Sequence, residues 1–153
     1  MSKTLHAASN NSTALANARF ALITGAAFCL LSVMIGAFAA HGLKAVLSEY
    51  HLSVVETGAR YQMYHGIALI LIGVLQLSLP NMASRFVAMC FTLGIVCFSG
   101  SLYLLASGGF SFVAFITPLG GLMLLLGWGG FIFQVYKHTK AAKGLNSETC
   151  NDA

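Results

Sequence analysis

Four long stretches of nearly uninterrupted apolar sequence leave this chain few ways to fold. They are FALITGAAFCLLSVMIGAFAA (20–40), YQMYHGIALILIGVLQLSL (61–79, closed by Pro80), FVAMCFTLGIVCFSGSLYLLA (86–106) and the run from about Phe112 to Tyr136. Roughly 17 to 25 apolar residues cross the hydrocarbon core of a bilayer as a helix. A chain inside lipid must satisfy its backbone N–H and C=O groups internally, which selects helices for runs of this length. Only 8% of the 153 residues are charged, against roughly a quarter in a soluble domain. The sequence therefore predicts an all-α polytopic membrane protein, an antiparallel four-helix transmembrane bundle. Residues 19–138 form the membrane domain, with flexible tails at 1–18 and 139–153.

The first run could be mistaken for a cleaved leader, because AFA at 37–39 looks like a small-residue cleavage site. Nineteen residues precede it, and it exceeds the roughly 7 to 15 residues of a signal core. Its retention as helix one is expected. Positive charge sets the orientation. With the tails cytoplasmic, Lys3, Arg19, Arg85, Lys137, Lys140 and Lys143 lie inside, and Lys44 and Arg60 outside. Six against two puts both termini in the cytoplasm. No basic run carries interleaved aromatics, so nucleic acid is not an expected partner. The bilayer is, together with a second copy or another membrane protein. The four cysteines (Cys29, Cys90, Cys97 and Cys150) include no CxxC pair. Those within the apolar runs read as packing thiols.

Small residues recur where helices would meet. Gly25, Cys29, Ser32, Gly36 and Ala39 form a seam on helix one; Gly94, Cys97 and Ser101 do so on helix three, and Gly120, Gly127 and Gly130 on helix four. In lipid, close backbone approach through such residues supplies much of the association energy. Leu43, Val46, Leu47 and Tyr50 recur at helical spacing between helices one and two, predicting a short interfacial helix. Gly42 is placed to stop helix one. Ser53 and Glu56 make a capping-box pattern that starts helix two at Val54. ETGARYQMYH (56–65) would then be the first turns of a helix rising above the membrane. Pro118 either opens helix four behind Thr117 or kinks it, and the apolar FSFVAFI before it favours a kink.

At 100° per residue, Gly58, Gln62, His65, Ile72 and Gln76 share one face of helix two, while Glu56, Arg60 and Met63 lie roughly opposite. Glu56 and Arg60 read as an interfacial ion pair at i, i+4, worth a few tenths of a kcal/mol. Polar groups at membrane depth turn toward the protein. Gln62 and His65 are therefore expected in a polar cluster in the outer half, with His41 at the end of helix one, Ser101 and Tyr103 from helix three, and Thr117 from helix four.

Two histidines raise the question of a metal, but no third ligand converges from the spacing and no zinc pattern is present. No Ser-His-acid set, phosphate-binding glycine loop or intramembrane carboxylate supports catalysis or a proton relay. No cofactor, metal site or catalytic residue is expected. The leading expectation is a non-enzymatic accessory or structural component, its polar cluster acting as a lock. The rival is a small-solute binding or transport component, with His65, Gln62, Ser101 and Thr117 lining a polar cavity; an enzyme comes third.

GAFAAHGLK (36–44), ETGARYQMYH (56–65), FSGSLYLLA (98–106), ITPLGG (116–121) and GW (127–128), in this order and at these separations, resemble the YgdD/YwdK-like family of small membrane proteins. That family is domain of unknown function 423, with eukaryotic transmembrane relatives. The resemblance covers about residues 20–136 and implies a bacterial inner-membrane protein with several spans. It brings no activity or ligand. Ala39 stands where the family pattern often has Gly, which puts close packing at that end of helix one in question.

Overall fold

The computed structural model describes the backbone over residues 2–79, 85–108 and 111–151, and side chains over 12–79, 85–108 and 112–140. Its long elements are α1 (Ser2–His41), α2 (Glu49–Ser78), α3 (Arg85–Ala106) and α4 (Ile116–Asn151), with short 3-10 turns at Leu43–Ala45 and Ser111–Phe115. Among the described residues, four segments are long and apolar enough to cross a membrane: Ser12–Ala45, Glu49–Ser78, Arg85–Ala106 and Phe112–Lys140. The segments expected as tails continue α1 from Ser2 and α4 to Asn151 as helix. Lys3 and Lys143, used above to read the orientation, carry side chains outside the described residues, and Pro80 lies outside them altogether.

Each helix packs on its neighbours in sequence, α1 on α2, α2 on α3 and α3 on α4, so α2 and α3 are central and α1 and α4 flank them. Contacts pair rising numbers on one helix with falling numbers on the next. Along α1 and α2, Leu22 meets Gly73, Gly25 meets Gly66, and Ser32 meets Ala59. Along α3 and α4, Val87 meets Gly130, Phe91 meets Gly127, Gly94 meets Leu124, and Phe98 meets Gly120. The core gathers around Leu69, Phe91 and Ile95, and a smaller cluster of Ala39, Val55 and Ala106 closes the end where α1 stops.

The small-residue seams fall at these crossings. A methyl on Gly25 would sit 2.7 Å from the Gly66 carbonyl oxygen, and one on Gly120 would collide with the Phe98 backbone. Backbones this close leave no room for a side chain, so glycine sets the helix separation. Gly36 breaks the pattern, with nothing within 4 Å of a Cβ placed there. Ile35 packs against the Ala39 cluster at that level instead. Ala39 itself is 1% exposed, so its methyl is accommodated where glycine was in question.

Three local expectations are corrected. Helix α2 starts at Glu49, with the Ser48 hydroxyl accepting from the His51 amide at 3.3 Å. Ser53 lies inside the helix, its hydroxyl donating to the Tyr50 carbonyl at 2.8 Å. The earlier cap prevails because the added turn brings Leu52 against the Val55 cluster. The ETGAR stretch lies alongside the last turns of α1, since Val55 packs with Ala39 and Ala59 accepts from Ser32.

Pro118 falls in the first turn of α4 behind a 3-10 turn. The first amides of a helix have no intrahelical acceptor to lose, so proline opens α4 without kinking it. Gly42 adopts φ −89° and its amide still bonds Phe38 O at 2.8 Å, so α1 passes into a 3-10 turn without a left-handed stop. Among the described residues the left-handed one is Gly108, at φ 84° just past α3, a conformation that favours glycine.

Candidate functional site

Helix α2 carries the polar groups to the centre of the bundle. Gly58, Gln62, His65, Ile72 and Gln76 are all buried, as the 100° period requires. Gln62 is 4% exposed and joins three helices. Its Nε2 donates to the Phe28 carbonyl of α1 at 2.9 Å, and its Oε1 accepts from the Tyr103 hydroxyl of α3 at 3.0 Å. On either side, Ser32 donates to Ala59 O at 2.6 Å and Ser99 donates to Gly58 O at 2.8 Å. Gly58 allows this approach, because a Cβ there would lie 2.7 Å from the Tyr103 ring.

One turn along α2, His65 uses both ring nitrogens. Nδ1 bonds the Tyr61 carbonyl at 2.8 Å, and Nε2 lies 3.2 Å from the indole Nε1 of Trp128 on α4. The indole N–H can only donate, so Nε2 accepts and the proton sits on Nδ1. Tyr61, Phe91 and Trp128 ring the imidazole at centroid distances of 6.1, 5.5 and 6.1 Å. Nearer the Pro118 end of α4, the Ser101 and Thr117 hydroxyls share a 2.7 Å bond, and Ser101 also donates to Phe98 O at 2.9 Å.

The expected cluster thus divides into Gln62 with Tyr103, His65 with Trp128, and Ser101 with Thr117. His41 belongs to none of them; it is exposed in the last turn of α1. Glu56 and Arg60 are also exposed, with no bond joining them among the described residues. Trp128 is the main participant that sequence reasoning missed. A tryptophan inside an apolar run, away from the interfacial belts where this residue concentrates, was the available signal that its N–H has a protein partner. Deeper on α2, Gln76 is 1% exposed, and neither amide atom has a hydrogen-bond partner. Among the described residues, no three His, Cys, Asp or Glu side chains converge.

The hydrogen bonds of this site join neutral donors and acceptors, and most of them cross from one helix to another. Residues 35–121, from the end of α1 into α4 and including Gln62, His65, Ser101 and Thr117, match the family described as protein of unknown function (DUF423). The chain belongs to the DUF423 family. It is 42% identical to a UPF0382 membrane protein of Staphylococcus haemolyticus, over 76% of this chain and 94% of the relative. It is 41% identical to the UPF0382 membrane protein YwdK of Bacillus subtilis, over 76% and 96% respectively. A UPF0382 membrane protein of Haemophilus influenzae is 40% identical over 72% of this chain and 86% of its own. No solved structure matches. This DUF423 protein is a membrane protein, like the relatives it resembles across nearly their whole length.

Proposed function

We propose that this DUF423 protein is a non-enzymatic accessory component of the bacterial inner membrane. Its polar groups serve as a lock that holds an antiparallel transmembrane bundle in register. The carrying observation is Gln62, whose two amide ends are each taken by a different neighbouring helix. Lipid provides no hydrophobic drive between helices, so matched hydrogen bonds and close glycine contacts must select the register.

The asymmetry of Lys and Arg supports cytoplasmic termini. The Leu43–Ala45 turn, with Leu43 and Leu47 packed inward and Val46 and Tyr50 exposed, supports an interfacial position for the connection between α1 and α2. The rival reading, a polar solute cavity, has less support because Gln62, His65, Ser101 and Thr117 spend hydrogen bonds on other groups of the protein. The test is thermal unfolding in detergent. His65→Ala is expected to melt below the parent, while Tyr64→Ala, at an exposed neighbour, melts with it. A His65→Ala protein as stable as the parent would overturn the lock.

A further inference from the structure

Beside the lock lies a feature that it does not use. A groove of 630 Å³ runs between α2 and α4, walled by Tyr61, His65, Phe98, Pro118, Gly121 and Trp128. Its volume is that of a small-molecule site, roughly 300 to 1,000 Å³, but its chemistry is almost wholly apolar. The only buried polar side chain in its wall, His65, already has both nitrogens engaged. The groove opens sideways, past Leu122 and Leu125, which are 54% and 69% exposed on the outside of a membrane-spanning helix. It is therefore continuous with the lipid-facing surface, and what fills it must come from the bilayer.

Its dimensions select the occupant. From Pro118 to Trp128 the groove follows α4 for ten residues, about 15 Å at the rise of an α-helix. That is one leaflet of a hydrocarbon core roughly 30 Å thick. One end lies near the start of α4, and the other at the His65–Trp128 contact, near the middle of the apolar spans. We propose that this groove binds one acyl chain of a membrane phospholipid from the leaflet at the Pro118 end. The chain lies along α4 with its terminus against Trp128. Gly121 makes the space: a Cβ placed there meets nothing nearer than Phe98 at 3.8 Å. A larger side chain at 121 would fill the groove without pushing the helices apart.

Trp128 is the only tryptophan in the chain, so its fluorescence reports the groove directly. The full chain is reconstituted in phosphatidylcholine vesicles, and phosphatidylcholine brominated along its acyl chains replaces the ordinary lipid in steps. A bound chain predicts quenching that saturates at low fractions of brominated lipid. Gly121→Leu is expected to raise the half-saturating fraction several-fold, Gly121→Ala to give a smaller shift, and Gly129→Leu, on open surface of α4, to give none. Quenching that simply follows the bulk lipid fraction, unchanged by Gly121→Leu, would overturn the site. So would a Trp128 that no brominated lipid reaches, since the groove would then be covered by protein such as a second copy.

Discussion

Replacing Gln62 with leucine removes two interhelical hydrogen bonds in one step, the 2.9 Å bond to Phe28 O and the 3.0 Å bond from Tyr103. Interhelical bonds in membranes average about 0.6 kcal/mol and reach about 1.7, so the pair contributes roughly 1 kcal/mol. The Tyr103 hydroxyl is then stranded in a half-buried position, which adds about 1 kcal/mol, the lower end of the cost of an orphaned group. Leucine nearly matches glutamine in volume, so repacking adds little. Gln62→Leu should therefore destabilise by about 2 kcal/mol. Tyr103→Phe, which strands Oε1 of a residue 4% exposed, should cost roughly 1 kcal/mol or somewhat more. Once either partner is gone, removing the other loses no shared bond. The double variant loses the bonds but strands neither group, about 1 kcal/mol in all, so it should fall short of the sum by about 2 kcal/mol. Reversible unfolding of the four proteins in mixed detergent micelles gives the cycle. A coupling within about 0.3 kcal/mol of zero, the additivity of independent sites, would refute the reasoning.

Further predictions concern the glycine crossings and the unpaired amide. Gly25→Ala forces a methyl to within 2.7 Å of the Gly66 carbonyl and should cost roughly 1 to 3 kcal/mol of overpacking in the same unfolding assay. Gly36→Ala, with open space around it, should cost nothing or gain up to about 1 kcal/mol of helix propensity. Gln76→Met should stabilise the protein by about 1 to 3 kcal/mol, because an amide with no partner on either atom is replaced by an apolar group of similar shape. A lower melting point for Gln76→Met would show that the amide is bonded in the membrane.

The four helices and the buried face of α2 were legible because they depend on local quantities: run length, a 100° period, and small residues at regular spacing. Gly25, Ser32, Gly94 and Gly120 could be picked out as contacts before any partner was known, since few other roles suit them inside lipid. Helix starts were less legible. Ser48 and Ser53 both offer a hydroxyl ahead of a helix, and the choice between them rests on whether Leu52 finds a pocket, which is a tertiary matter. Pro118 was ambiguous for the same reason. The grouping of the polar residues was not legible. Spacing along α2 showed that Gln62 and His65 point inward, but only the folded chain decides that Gln62 meets Tyr103, 41 residues away, and His65 meets Trp128, 63 residues away. His41 lies at a suitable depth, but depth does not fix the side of the helix, and its side chain is exposed.

The most direct test of the lock is water access to its members. With the four native cysteines replaced, single cysteines at positions 65, 101 and 117, and at Ser48 as a control, are placed in full-length protein in lipid nanodiscs, where both faces meet the solvent. They are then exposed to a membrane-impermeant maleimide. A dry, internally bonded cluster predicts labelling at 48 and none at the other three. Labelling at 65, 101 and 117 together would reveal a water-filled cavity and contradict the account.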